Sequence, residues 1–111
     1  MNTTSEEKRT IQSNLYAKFF SGLSNPTRFR IIEELMDSEK TVGELVSALN
    51  ASQSQISNHL SCLKWCGYVS SRQEGKFVYY QVTDQRIKNI IDTAKEVVAN
   101  NANHISSCTR M

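Results

Sequence analysis

Two helix starts stand eleven residues apart in the middle of this chain, and together they constrain the fold more than any other feature. Thr41-Val-Gly-Glu44 and Ser52-Gln-Ser-Gln55 both carry a hydroxyl residue followed three positions later by Glu or Gln. In this capping box the two side chains satisfy backbone N–H groups that a helix start leaves without partners. The first helix therefore has room for about two turns, with Val42, Leu45, Val46 and Leu49 inward. The second runs over 52–66 and is stopped by Gly67. At about 100° per residue, its Ile56, Leu60 and Leu63 fall within roughly 60° of one another and define a buried stripe.

The flanking sequence supplies the remaining elements. Residues 1–10 are polar and are expected to fray. Ile11, Leu15, Phe19 and Leu23 recur at helical spacing and predict an amphipathic helix over 11–23. Asn25-Pro26 reads as a cap with proline at the first helical position, opening a helix over 26–37 with Phe29, Ile32, Leu35 and Met36 inward. After Gly67 the period shifts. The stretch 68–82 is rich in β-branched and aromatic residues and is split by Glu74-Gly75, a hairpin with a basic tip formed by Arg72 and Lys76. A last helix starts near Asp84 with Ile87, Ile90, Ile91, Ala94, Val97 and Val98 on one face. The tail NNANHISSCTRM is polar and has no periodicity.

This order divides the chain into a flexible segment (1–10), one domain (11–101) and a C-terminal tail (102–111). It predicts a mainly α fold with a β-hairpin wing (α+β), a winged helix-turn-helix. Only 39% of the 111 residues are hydrophobic. That leaves room for one modest core and points either to further burial in a homodimer or to loose chain ends.

A net charge of +2 proves no polyanion partner, but the distribution is informative. No Asp or Glu occurs from Leu45 through Gln73, a stretch that contains Lys64 and Arg72. An anionic partner would approach most easily there. Ser54, Ser57, Asn58 and Ser61 lie broadly opposite the buried stripe of the 52–66 helix, with Trp65. Small hydroxyl and amide groups on such a face suit base edges or phosphates in a major groove. Ser52, Gln53, Gln55 and Lys64 on the same helix, with Arg72 and Lys76 on the hairpin, complete the candidate contacts to double-stranded DNA. His59 sits between stripe and groove side, as a packing residue, a phosphate contact or a metal ligand. The N-terminus lacks the apolar run of a signal peptide and no stretch reaches membrane-spanning length, so the expected compartment is cytoplasmic. Neither His has a nucleophile–base partner and no Gly-rich phosphate loop occurs; neither an enzyme nor a small organic substrate is expected.

Three cysteines in a reducing compartment argue for metal or redox chemistry rather than structural disulfides. Cys62 and Cys66 are four apart and project from one side of the helix, roughly 100° from its apolar stripe. Cys108 lies in a polar tail with no core to join. Three thiols fit a trigonal site for Cd(II), Pb(II) or As(III) better than a four-thiolate Zn(II) site, although His104 could add a nitrogen. A thiol redox sensor on the same scaffold is the alternative.

The segments LSNPTRFRIIEEL (23–35), SQSQISNHLSCLKWCGYV (52–69) and EGKFVYYQV (74–82) resemble the ArsR/SmtB family of dimeric winged-helix, metal-responsive repressors. The likeness spans roughly residues 13–101. Within the family, SNHLSCLKWCG is most similar to the CmtR-type cadmium/lead sensors, which place two cysteines four apart in the recognition helix and take a third from the tail. The resemblance implies Cys62, Cys66 and Cys108 as metal ligands. It further implies a metal-free dimer on a palindromic operator, released by the metal. The arsenic branch's cysteine pair would fall where this chain has Ile31, Ile32 and Glu33. The paired-histidine site of the zinc, nickel and cobalt branches is not assembled around Asp92.

Overall fold

The computed structural model describes residues 4–109. Five helices and one hairpin follow the expected order: α1 (Ser5–Gly22), α2 (Pro26–Asp37), α3 (Val42–Leu49), α4 (Gln53–Trp65), β1 (Val69–Glu74), β2 (Phe77–Val82) and α5 (Gln85–Ser106).

Both central capping boxes form. Thr41 and Glu44 exchange bonds at 3.0 and 3.2 Å, Ser52 and Gln55 at 3.3 and 3.2 Å. Between α3 and α4 the chain turns through Asn50, whose φ of +53° is a left-handed conformation that Asn tolerates better than most residues. Leu45, Leu49, Ile56, Leu60 and Leu63 meet Ile31, Ile32 and Leu35 of α2 in one core, which Tyr68, Val69, Val82, Ile87 and Ile91 close from the hairpin and α5. Ile31, absent from the stripe read in the sequence, is fully buried because α2 is covered on more than one side.

Both ends of the chain are more helical than the sequence reading held. α1 starts at Ser5 because Thr4 and Glu7 form a third capping box, the same signal as at Thr41. Of the segment expected to fray, residues 1–3 lie outside the described residues. α5 continues past residue 101 through a kink at Asn101 and is closed by Ser107, which bonds back to the Asn103 carbonyl. Beyond the helix only Ser107, Cys108 and Thr109 are described.

The apolar faces of the two long helices find little cover within the chain. α1 buries none of its residues, and Ile11, Leu15 and Phe20 are exposed. On α5 the expected face divides: Ile87 and Ile91 enter the core, while Ile90, Val97 and Val98 remain in solvent. The Cα radius of gyration, 16.6 Å, exceeds the ~13 Å of a compact chain this long.

Candidate nucleic-acid interface and thiol groove

α4 presents three different faces. Ile56, Leu60 and Leu63 are buried at 1% exposure or less. On the outer side Gln53, Ser54, Asn58, Ser61 and Lys64 are exposed, whereas Ser57 and His59 are half-buried. Ser52 and Gln55 are exposed, but each is engaged in the capping box. Their polar atoms hold the helix start first, and any contact with DNA comes second to that.

The hairpin follows α4, and its first strand packs against that helix. Its register pairs Val69 with Val82 and Glu74 with Phe77, leaving Gly75 (φ +61°) and Lys76 at the turn. Arg72 is not at that tip. It lies within β1, paired with Tyr79, and its guanidinium is bound by Glu39 and Glu74 and stacked 4.8 Å from the Tyr79 ring centroid. The expected two-cation tip is thus reduced to Lys76, because two carboxylates absorb the charge of Arg72. Glu39 is correspondingly held below the usual glutamate value of 4.5 by its bonds to Arg72. Midway along β2, Lys40 and Tyr80 exchange backbone bonds at 3.0 and 2.8 Å, an extra bridge that fixes the wing to the α2–α3 connection. No periodicity in the sequence marked this bridge, since it joins a single residue of a loop.

The cysteines lie on the flank that adjoins the outer face, Cys62 one turn on from Asn58. Cys62 and Cys66 are free and exposed, and the Cys66 amide donates to the Cys62 carbonyl at 3.0 Å, so they sit one helical turn apart. Both open onto a groove of about 430 Å³ whose walls include Phe19, Gly22, Arg28, Trp65 and Tyr68. The Tyr68 phenol is raised above 10.0, first by burial, then by the nearby sulfurs of Cys66 and Cys62, with Arg28 opposing. Arg28 and Tyr68 were not singled out as groove residues from the sequence, because they lie on elements far apart along the chain, and Trp65, grouped with the outer face, also walls the groove.

Cys108 is also free and exposed, on the short segment after α5. Among the described residues no group of three or more His, Cys, Asp and Glu side chains is close enough to hold a metal ion. One chain therefore brings two of its three thiols together and leaves Cys108 and His104 apart from them. The pair fits a thiophilic ion in donor type and access, with a coordination shell open for a donor from elsewhere.

A family described as "Bacterial regulatory protein, arsR family" matches residues 25–71, from the cap of α2 into β1. A probable mercury resistance operon repressor of Streptomyces lividans is 40% identical over 86% of this chain and 76% of its own length. The chain belongs to the ArsR family. The HTH-type transcriptional regulator CmtR of Mycobacterium tuberculosis is 34% identical over 79% of this chain and 75% of its own. A solution structure of the homodimeric winged helix-turn-helix DNA-binding domain of Mb0332 from Mycobacterium bovis superimposes with a TM-score of 0.74 at 26% identity, covering 91% of this chain and 92% of that one. For this ArsR-family chain the α3–α4 unit is thus the helix-turn-helix, α4 its recognition helix and the β1–β2 hairpin its wing. These relatives are regulators rather than enzymes. Among the described residues no helix is long and apolar enough to cross a membrane.

Proposed function

We propose that this ArsR-family regulator is a repressor. It binds a palindromic operator as a metal-free homodimer and leaves it when its thiols take up a soft, thiophilic ion. The observation that carries this reading is the position of Cys62 and Cys66. They are exposed, one turn apart, and on the flank of the helix whose outer face carries Asn58 and Ser61. Ligand uptake at the flank acts on the DNA-reading helix itself. Cys108 supplies the third thiolate, and because it does not join the pair within one chain, it comes from the partner subunit.

The homodimer is supported by the exposed apolar faces of α1 and α5, among them Leu15, Phe20, Val97 and Val98. Two-fold symmetry then sets two copies of α4 against half-sites of a palindrome. Cd(II) and Pb(II) are the inducers we favour, and similarity to a mercury-resistance repressor adds Hg(II) as a third soft candidate. As(III) and Zn(II) also accept thiolates, though three sulfurs without a fourth cysteine suit Zn(II) less well. The ion must bind the DNA-incompatible arrangement more tightly than the DNA-bound one. Couplings of about 1–3 kcal/mol are typical, and a near-complete switch needs about 5 kcal/mol.

The test is a titration of the full chain with Cd(II) on duplex DNA that the metal-free protein has selected from a random pool. Appearance of ultraviolet thiolate-to-metal absorption together with loss of the DNA complex is expected. Release by an oxidant but not by anaerobic Cd(II), Pb(II) or Hg(II) would replace this reading with a thiol redox sensor.

A further inference from the structure

The last four carbonyls of a helix have no partner inside it, and α1 shows where its own are satisfied. The Phe20 carbonyl accepts from the Leu23 amide at 3.0 Å, and that of Ser21 from the Ser24 amide and hydroxyl at 3.1 and 2.7 Å. The Gly22 carbonyl accepts from Arg28 Nε at 2.7 Å. The Phe19 carbonyl accepts from the hydroxyl of Tyr68 at 2.6 Å, across 49 positions of sequence. Two of these four caps are thus side chains that also line the thiol groove.

Tyr68 is fixed at both ends. Its amide donates to Leu63 in α4 at 2.9 Å, and its carbonyl accepts from Thr83, after β2, at 3.1 Å. It follows Cys66 across Gly67, whose φ of +87° reverses the chain out of the recognition helix. At the ring end there is no slack. The ring lies 5.2 Å from that of Phe19, centroid to centroid. A Cβ at position 22 would come within 2.9 Å of Tyr68 Cζ and closer still to its hydroxyl oxygen. Tyr68 therefore joins the end of α4 to the end of α1 by direct bonds at both its ends. Because α1 buries none of its own residues, these contacts are a large part of what orients it.

We propose that Tyr68 is the positioning residue that passes occupancy of the Cys62–Cys66 pair to α1, the helix whose exposed face meets the partner subunit. The inference rests on the metal-responsive reading above and adds its route. Tyr68 donates to α1 rather than to the ligand, so its hydroxyl is dispensable for metal uptake and needed for the response.

Hydrogen exchange of the α1 amides around residues 19–24 is followed in the full chain with and without Cd(II), beside the ultraviolet thiolate band. In the wild-type protein Cd(II) gives the band and changes exchange at the end of α1. In Tyr68→Phe the band and its stoichiometry stay, while the exchange change and the Cd(II)-dependent weakening of DNA binding both fall about fivefold, the scale of one lost hydrogen bond. A purely structural Tyr68 would weaken DNA binding with and without Cd(II) alike, leaving their ratio unchanged, and that result overturns the inference. So does a Tyr68→Phe protein that loses the band, because Tyr68 would then belong to the binding site. Should Tyr68→Phe not fold, Gly22→Ala displaces the same ring and is expected to give the same uncoupling; an undiminished response in it also overturns the inference. Absence of the band in the wild-type protein removes the metal reading and this route together, whereas a wild-type response that Tyr68→Phe retains removes only the route.

Discussion

Arg72 Nε donates to Glu39 Oε2 at 2.9 Å, tying the first strand of the wing to the loop between α2 and α3. The pair sits at the surface, and a second carboxylate, Glu74, holds the same guanidinium at 2.8 Å. The wing is therefore tied to that loop partly by charge.

Glu39 is held below 4.5 in the folded chain, chiefly by its bond to Arg72. A depressed folded value contributes stability that is present above 4.5 and lost as pH falls through the depressed value. The midpoint of the Glu39 carboxyl carbon by NMR titration should lie below 4.5 in the wild type and return toward it in Arg72→Ala. An unchanged midpoint in that variant would mean that the pair does not persist in solution.

Lys76 and Arg72 should differ on DNA, although the sequence groups them. Lys76 stands at the wing tip and Arg72 already serves two carboxylates. Loss of one phosphate contact lowers the slope of log affinity against log salt by about 0.9. We expect that reduction in Lys76→Ala and a smaller one in Arg72→Ala. Equal reductions would show that Arg72 exchanges its carboxylates for phosphate on binding.

Asn58 is exposed on the outer face of α4. Asn58→Ala should cost about 1–3 kcal/mol of operator affinity and relax preference at one base pair per half-site. A uniform loss across all sequences would make it a backbone contact instead.

A site shared between subunits can be tested by mixing two defective chains. Neither Cys62→Ser/Cys66→Ser nor Cys108→Ser should respond to Cd(II) alone. Their mixed dimer contains one intact set of three thiols only if the third crosses the interface. Recovery of about half the thiolate band, scaled to the fraction of mixed dimer, is expected. No recovery places all three ligands in one chain.

Phe20 and Val97 are 59% and 53% exposed on the uncovered faces of α1 and α5. Phe20→Glu or Val97→Glu should shift the protein toward monomer in sedimentation while leaving its helical content unchanged, because neither side chain belongs to the core. Operator affinity should fall steeply, since one chain reads only one half-site. A dimer that persists in both variants would place the interface elsewhere.

Much of the helix-turn-helix was legible because its signals are local. Capping boxes act over three residues and apolar stripes over three and four, so Thr41–Glu44, Ser52–Gln55 and Ile56–Leu60–Leu63 could be read in place. The same signal at Thr4–Glu7 was legible too, but no apolar periodicity drew attention to it. The wheel also set Cys62 and Cys66 beside the buried stripe, and Cys62, one turn on from Asn58, places the thiol pair next to the outer face rather than apart from it.

The sequence by itself determined the order of elements, the two ends of the recognition helix and the presence of a thiol pair on it. Tertiary structure decided which charges are free, which apolar faces are covered and which thiols can meet. Arg72 loses its availability to Glu39, 33 positions away, and Tyr68 caps a helix that ended before α2 began. Periodicity records that a face is apolar, but not what comes to rest against it. Helical bonds are fixed by the nearest turn of chain, whereas these contacts exist only once distant segments have packed.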